Sequence, residues 1–319
     1  MYLSRLFLMA ILIFSTIPVL SQSYPVKPVK IIVPYAPGGT GDILARLVAQ
    51  KLAQQMGQSF LIENKTGAGG LIGYGAVARS APDGYNLIAM SNSYTMFPSL
   101  YGDRLDWNIE TDIIPISLYG RASFALIVNP IKNYKSPQDL IRQAKLKPDE
   151  ISYGTPGTGS LHHVFTALLA QITGVSMLHI PYKGASEALN AVLANGVDWA
   201  FVALPTITGQ LNNERMRVIA VTSEARFPLI PKVPTLRESG INMSVSNWFG
   251  LGAPKGTPPE TIALLNKQIS DAVKSPEVSA RMKEIGAEAI SNNSADFAQM
   301  ISNDIRVWTK VIKDAGIKN

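Results

Sequence analysis

The residues best placed to do chemistry in this chain sit in three glycine-rich stretches. They are Pro37-Gly38-Gly39-Thr40-Gly41-Asp42, Gly67-Ala68-Gly69-Gly70 and Gly154-Thr155-Pro156-Gly157-Thr158-Gly159-Ser160. In the first and third, a β-rich run enters the glycines and an amphipathic helical pattern leaves them. A helix that opens this way presents backbone N–H groups without intrahelical partners, together with the positive end of its dipole, to one spot. That spot is a seat for an anion. Asp42, in the first turn of its helix, is expected to complement the dipole and bond backbone amides, so that it shapes the turn while neutral N–H groups meet the ligand.

The spacings argue against the common enzymatic uses of such turns. A nucleotide P-loop needs a lysine after its second glycine, and Gly154 through Gly159 is followed by Ser160. The dinucleotide fingerprint fails too, because Leu44 stands where its third glycine belongs. No nucleophile elbow surrounds Ser160. The three histidines are His162, His163 and His179. Adjacent His162 and His163 point about 100° apart on a helix, which is not the same-face pair of a zinc helix, so no metal is expected. His163 lies one turn into its helix, opposite the apolar stripe, where it either reaches what the turn holds or sits in solvent. No cofactor motif is present.

The elements that position these turns follow from periodicity. Short β-rich runs at Val29 to Pro34, Phe60 to Glu63, Asn86 to Met90, Phe124 to Val128, Ile151 to Tyr153, Met177 to Ile180, Trp199 to Ala203, Arg217 to Thr222 and Trp248 to Ala253 alternate with helical patterns. Such alternation predicts an α/β protein with parallel sheets covered by helices, and nine strands suggest two sheets. Leu161, Val164, Phe165, Leu168, Leu169 and Ile172 share one helical face. Leu44, Leu47, Val48, Leu52 and Met56 nearly share another. Thr257-Pro258-Pro259-Glu260 has the order of an N-cap, a first-turn proline and a capping-box glutamate, and Ser275-Pro276 opens a further helix. Phe297, Met300, Ile301, Ile305, Trp308 and Ile312 turn the last helix toward a core.

Composition narrows the partners and the compartment. The chain has 319 residues, with 29 basic and 23 acidic side chains scattered singly, so nucleic-acid binding has no patch to rest on. Cysteine is absent, which removes disulfides, thiolate metal sites and cysteine nucleophiles. Arg5 precedes an apolar run from Leu6 to Leu20 that ends in Ser21, Gln22 and Ser23. The run falls short of the roughly 20 residues of a spanning helix and has the pattern of a secretory signal peptide over residues 1–23. The mature chain is then expected outside the cytoplasm.

Several motifs occur together and in one order. They are Tyr35 through Asp42 with Ala45-Arg46, Glu63-Asn64-Lys65 with the second glycine turn, Pro82-Asp83-Gly84-Tyr85, Tyr153 through Ser160 with His163, Pro181-Tyr182-Lys183-Gly184, Val197-Asp198, and Ala220-Val221-Thr222 followed by Pro231-Lys232-Val233-Pro234-Thr235. Over essentially the whole mature chain they resemble the Bug family, the extracytoplasmic solute-binding receptors of tripartite tricarboxylate transporters. The resemblance implies a type II periplasmic-binding-protein flytrap that closes on citrate-like acids, dicarboxylates, acidic amino acids or aromatic acids. It also implies delivery to membrane permease subunits, a monomer, and no enzymatic activity.

By the same resemblance, residues 24–122 with 224–319 form one domain and 123–223 the other, each a mainly parallel sheet flanked by helices. The ligand is expected to meet Tyr35, Gly38, Gly39, Thr40 and Asp42 on one jaw and Thr155, Thr158, Gly159, Ser160 and His163 on the other. Ser91, Asn92, Ser93 and Tyr182 are expected nearby. Two departures from the family pattern stand out. Thr40-Gly41 replaces a common Pro-Thr or Gly-Thr, and Val202-Ala203 replaces a frequent polar or acidic pair, which argues against an amino-acid ligand unless both are simply buried strand residues. An exported enzyme acting on a small organic acid, and a ligand-binding partner of a sensor kinase, are the competing readings.

Overall fold

The computed structural model of the chain describes residues 24–318; the expected signal peptide lies outside the described residues. The strands are β1 (Val29–Val33), β2 (Phe60–Asn64), β3 (Asn86–Ser91), β4 (Ile113–Val128), β5 (Ser152–Thr155), β6 (Leu178–Pro181), β7 (Trp199–Ala203), β8 (Arg217–Val221) and β9 (Ser246–Pro254). The helices are α1 (Thr40–Met56), α2 (Leu71–Ala78), α3 (Ser93–Tyr101), α4 (Pro137–Leu146), α5 (Leu161–Thr173), α6 (Ala185–Leu193), α7 (Leu204–Ile207), α8 (Pro259–Lys274), α9 (Pro276–Glu284) and α10 (Ser294–Asp314).

All nine expected strands form, but they belong to one continuous sheet. Its order is β2-β1-β3-β9-β4-β7-β5-β6, with β8 also on β4. β4 joins the two halves by changing partners: Ile113 through Ser123 pair with β9, and Phe124 through Val128 pair with β7 and β8. The outer strands β1, β2 and β3, and β5, β6 and β7, pair in parallel, whereas β4 and β9 run antiparallel to their neighbours. The first half of β4 escaped the strand pattern because Pro115 and Gly120 interrupt it, and the register shifts at both places.

Apolar clusters cover each half on both faces. α1 and α8 bury Leu44, Val48, Leu52, Leu265 and Ile269 against Ile31, Val33 and Phe249. Trp199, Phe201, Phe124 and Phe165 build the core of the other half. α10 serves both, giving Phe297, Ile301 and Ile305 to one core and Trp308, Val311 and Ile312 to the other. Leu236, Ile241, Met243 and Val245 pack with Phe124, Leu126 and Ile219. Backbone bonds from Val221 N–H to Pro234 O, from Leu236 N–H to Val221 O and from Val245 N–H to Thr222 O tie the same stretch down.

Helix starts follow the local chemistry with one adjustment. Ser275 caps α9 through Val278 N–H as expected. Thr257 does not cap α8: its hydroxyl donates to Pro254 O at 2.8 Å, and the helix begins at Pro259, one residue later than the motif implied.

The strand β9 admits no bulk at two glycines. A Cβ on Gly250 would stand 2.8 Å from Ser117 O and against the Phe297 ring, and one on Gly252 would stand 2.6 Å from Met90 Sδ. Gly250→Ala is therefore expected to lower stability by about 1–3 kcal/mol through overpacking. Chemical denaturation of both proteins checks this; an unchanged midpoint would show that β9 and α10 separate without loss.

Candidate functional site

β1 delivers the chain to the first glycine turn, which Asp42 organises from within. Its carboxylate is only 2 % exposed and accepts from Gly38 N–H at 2.9 Å, Arg46 Nε at 3.0 Å and Asn64 Nδ2 at 2.7 Å. Burial alone would raise its pKa, but the Arg46 guanidinium, the Asn64 amide and the Gly38 N–H outweigh it and hold the group below the usual carboxylate range. Asn64 also donates to Tyr35 O at 3.0 Å and accepts from Arg46 Nη2 at 2.8 Å, so β1, β2 and α1 close around this charge. Gly38 needs its φ of +79°. Gly41 is required for space, because a Cβ there would lie 2.7 Å from Tyr35 Cδ2.

With Asp42 occupied in this way, its side chain shapes the turn. What remains open are N–H groups. Those of Thr40, Gly41 and Asp42 have no acceptor among the described residues. They stand at the start of a 17-residue helix.

The Tyr35 phenol joins a chain of hydroxyls at the end of β3. Its hydroxyl donates to Ser91 Oγ at 2.7 Å and meets Tyr74 Oη at 3.1 Å, while Ser91 Oγ lies 3.0 Å from Ser93 Oγ. Burial pushes the Tyr35 phenol above its ordinary pKa. Tyr74 closes the chain by accepting Ser91 N–H at 3.0 Å. Asn92 is 2 % exposed and fully engaged, accepting Trp248 N–H at 2.7 Å and donating to Ser246 O at 3.2 Å. Its side chain pins β3 to β9. Ser93 is half-buried at the start of α3.

The second jaw is the end of β5 and the start of α5. Ser160 is the N-cap, accepting from His163 N–H at 3.3 Å. The N–H groups of Thr158, Leu161 and His162 have no acceptor among the described residues, which matches the arrangement at α1. His163 takes neither expected position. It is 9 % exposed, turns back on its own loop, and accepts Gly159 N–H on Nδ1 at 3.2 Å. Its ring stacks on His179 with centroids 3.9 Å apart. His179 Nε2 in turn lies 2.6 Å from Thr155 Oγ1, so the Thr155 hydroxyl is held inside the loop. The Tyr182 ring lies over Gly154, and Tyr182 N–H donates to Thr155 O at 2.9 Å.

The second jaw and the 67–70 glycine turn share a wall. A Cβ on Gly159 would lie 3.3 Å from Leu100 Cδ2, and Tyr101 Oη donates to Ala68 O at 2.9 Å, so α3 touches both the second jaw and the remaining glycine turn. In that turn Gly67, Ala68, Gly69 and Gly70 all have positive φ. Asn64, Tyr74 and His179 join these networks, and sequence reasoning placed none of them at the candidate site. Each acts through a partner distant in the chain, and no spacing announces such contacts. Val202 is a buried core residue of β7, which explains its apolar identity. Beside the crossing strands lies a cavity of about 650 Å³ whose lining includes Arg121, Ser123, Ser246, Lys283 and Glu288, and none of the jaw residues.

The family model described as Tripartite tricarboxylate transporter family receptor (TctC) matches residues 44–317. The chain belongs to this receptor family. BugT of Bordetella pertussis is 33 % identical over 303 residues, covering 94 % of this chain and 93 % of BugT. The solved structure of the periplasmic binding protein BugD is 33 % identical with a TM-score of 0.81, covering 93 % of this chain and all of BugD. R. palustris Rpa4515 with adipate is 33 % identical with a TM-score of 0.84 over 93 % of this chain and all of that one. MatC from Rhodopseudomonas palustris, with bound malate, is 28 % identical with a TM-score of 0.80, covering 91 % of this chain and all of MatC. The receptor family and these neighbours are binding proteins and not enzymes, and the two-domain α/β fold is theirs.

Acid should weaken this receptor in a defined window. Burial lowers the pKa of His162 to about 4, and burial with neighbouring His179 lowers that of His163 to about 4. The unfolded chain takes up these protons near 6.5, before the folded state does, so stability present above that pH is lost as pH falls from about 6.5 toward 4. The slope is at most about 1.4 kcal/mol per pH unit for each histidine. Melting curves from pH 7.5 to 4.5 test this, with His162→Leu expected to flatten the profile; an equal slope in that variant would assign the acid sensitivity elsewhere.

Proposed function

We propose that this receptor captures a small di- or tricarboxylate between the start of α1 and the start of α5 and passes it to the membrane permease subunits of a tripartite tricarboxylate transporter. The observation that carries the reading is the pair of helix N-termini, each with three N–H groups lacking acceptors among the described residues, one at each glycine jaw. Thr40, Gly41 and Asp42 supply the amides of one seat, and Thr158, Leu161 and His162 those of the other. Two seats of neutral donors suit a ligand with a carboxylate at each end. Adipate and malate, named with two structural neighbours, are dicarboxylates. The hydroxyls of Thr40, Ser93, Thr158, Ser160 and Tyr182 surround the seats and complete the hydrogen bonding, directly or through water.

In this reading the lobes divide where β4 changes partners at Ser123 and Phe124, and the return crossing lies at the start of β9. Residues 224–245 then belong with the lobe they pack against, so the second boundary moves from residue 223 to about residue 245. Ligand binding favours the closed arrangement because only there do both seats contact the same molecule, and closure is what the permease reads. The protein acts as a monomer in the periplasm, exported by its N-terminal leader. No helix among the described residues is long and apolar enough to cross a membrane.

A thermal-shift screen followed by calorimetry tests the reading, using malate, adipate, citrate, aromatic acids, amino acids and nucleotides. A true ligand at a hundred times its dissociation constant stabilises the fold by about 2.7 kcal/mol. Gly41→Val, which drives a side chain into the Tyr35 ring, is expected to cost at least about tenfold in affinity, or roughly 1.4 kcal/mol. Stabilisation by no carboxylate, or by a nucleotide alone, would overturn the reading.

A further inference from the structure

Gly157 and Gly159 have φ of +120° and +72°, so side-chain sterics do not set the path of the second jaw. Its shape therefore depends on hydrogen bonds, and two of these end on imidazoles. His163 Nδ1 takes Gly159 N–H at 3.2 Å. His179 Nε2 lies 2.6 Å from Thr155 Oγ1, and that hydroxyl oxygen also receives Gly157 N–H at 3.3 Å. The rings form a stack: Tyr153 on His179 at 5.0 Å and 20°, then His179 on His163 at 3.9 Å and 19°. An imidazole nitrogen that accepts a proton donor carries a lone pair, so His163 is the neutral tautomer with its proton on Nε2.

We propose that His163 and His179 are positioning residues for the ligand seat. The stacked pair turns the Gly159 N–H and the Thr155 hydroxyl inward and thereby selects the N–H groups of Thr158, Leu161 and His162 as those a carboxylate meets. Neither imidazole contacts the ligand in this arrangement. This rests on the reading of α5 as one of the two seats. It accounts for a buried His163 and a half-buried His179 beside a jaw, neither in an ion pair among the described residues and neither in a metal cluster there. It also explains why the loop tolerates two left-handed glycines without losing its shape.

The test uses the purified protein and two pairs of variants. His163→Asn sets a carbonyl oxygen near the place of Nδ1, whereas His163→Leu removes the acceptor; His179→Gln keeps an amide able to donate to or accept from the Thr155 hydroxyl, which also lies 3.2 Å from Gly157 O, and His179→Leu removes it. The first readout needs no ligand. Amide exchange followed by NMR should find Gly159 N–H protected in the wild type and in His163→Asn, and exchanging at least about tenfold faster in His163→Leu. The second readout is affinity for whichever of malate, adipate or citrate stabilises the wild type. His163→Leu and His179→Leu should lose about tenfold or more, while His163→Asn and His179→Gln stay within about threefold.

Equal losses in the Asn and Leu variants of His163 would show that the ring itself matters, by packing or by touching ligand, and would overturn the proposal. Protection and affinity both retained in folded His163→Leu would overturn it as well. A wild type that binds none of the three acids would count against the carboxylate reading, while the exchange comparison still decides whether His163 positions the loop.

Discussion

A helix cannot satisfy its own first N–H groups, and the proposed ligand seat of this receptor rests on where two helices begin. Most proteins answer that deficit with a side-chain cap or with solvent. Here α1 starts at Gly39, which has no side chain to cap with, and Asp42, the first carboxylate available, reaches back to Gly38 and not forward to the open amides. α5 does have a cap in Ser160, but it serves His163 N–H and leaves Leu161 and His162 open. Both starts thus keep donors in reserve. The surrounding packing holds that condition in place, through the Tyr35 ring against Gly41 at one helix and the imidazole stack behind Gly159 at the other.

The sheet determines that the two reserves lie in one molecule and on opposite halves of it. β4 is long enough to pair with β9 in one half and with β7 and β8 in the other, so a single strand carries the geometry across. Gly250 and Gly252 let Phe297 and Met90 press onto β9, and Asn92 binds the start of that strand from the end of β3. The connection is therefore stiff along the strands, while the register shifts in β4 near Pro115 and Gly120 supply places where it bends. α10 reinforces this with apolar residues on both cores, and it limits how far the halves separate.

Much of this was legible in the sequence, and the reasons are local. β1 into α1 and β5 into α5 announce themselves because alternation gives way to helical period across glycines, and all nine strands carried enough β-branched and aromatic residues to be seen. The joining of two expected sheets into one was hidden, since Pro115 and Gly120 break the pattern over the first half of β4 and only pairing with β9 makes it a strand. Residues 224–245 read as the beginning of the returning domain, yet Leu236, Ile241 and Met243 bury against the other half. Among the site residues, the glycines were visible through their backbone demands. The roles of Asn64, Tyr74 and His179 were not, because each touches a group more than twenty residues away, Asn64 at Asp42, Tyr74 at Tyr35 and His179 at Thr155.

The charges near the first seat show how a neutral site is kept neutral. Asp42 stands in the same helical turn as the open amides, and an unpaired carboxylate there would repel an anionic ligand. The structure answers by burying it and surrounding it with Gly38 N–H, Arg46 and Asn64. Arg46 is in turn committed to Asp42 and Asn64. A guanidinium clamp would bind a carboxylate with charge-assisted bonds roughly twice as strong as neutral ones. For a receptor that must give up its cargo, the rate of release sets the usefulness of the site, and affinity differences between related sites appear mostly in that rate. In the proposed arrangement, two seats of neutral N–H groups would hold an anion together while closed and each alone only weakly once apart.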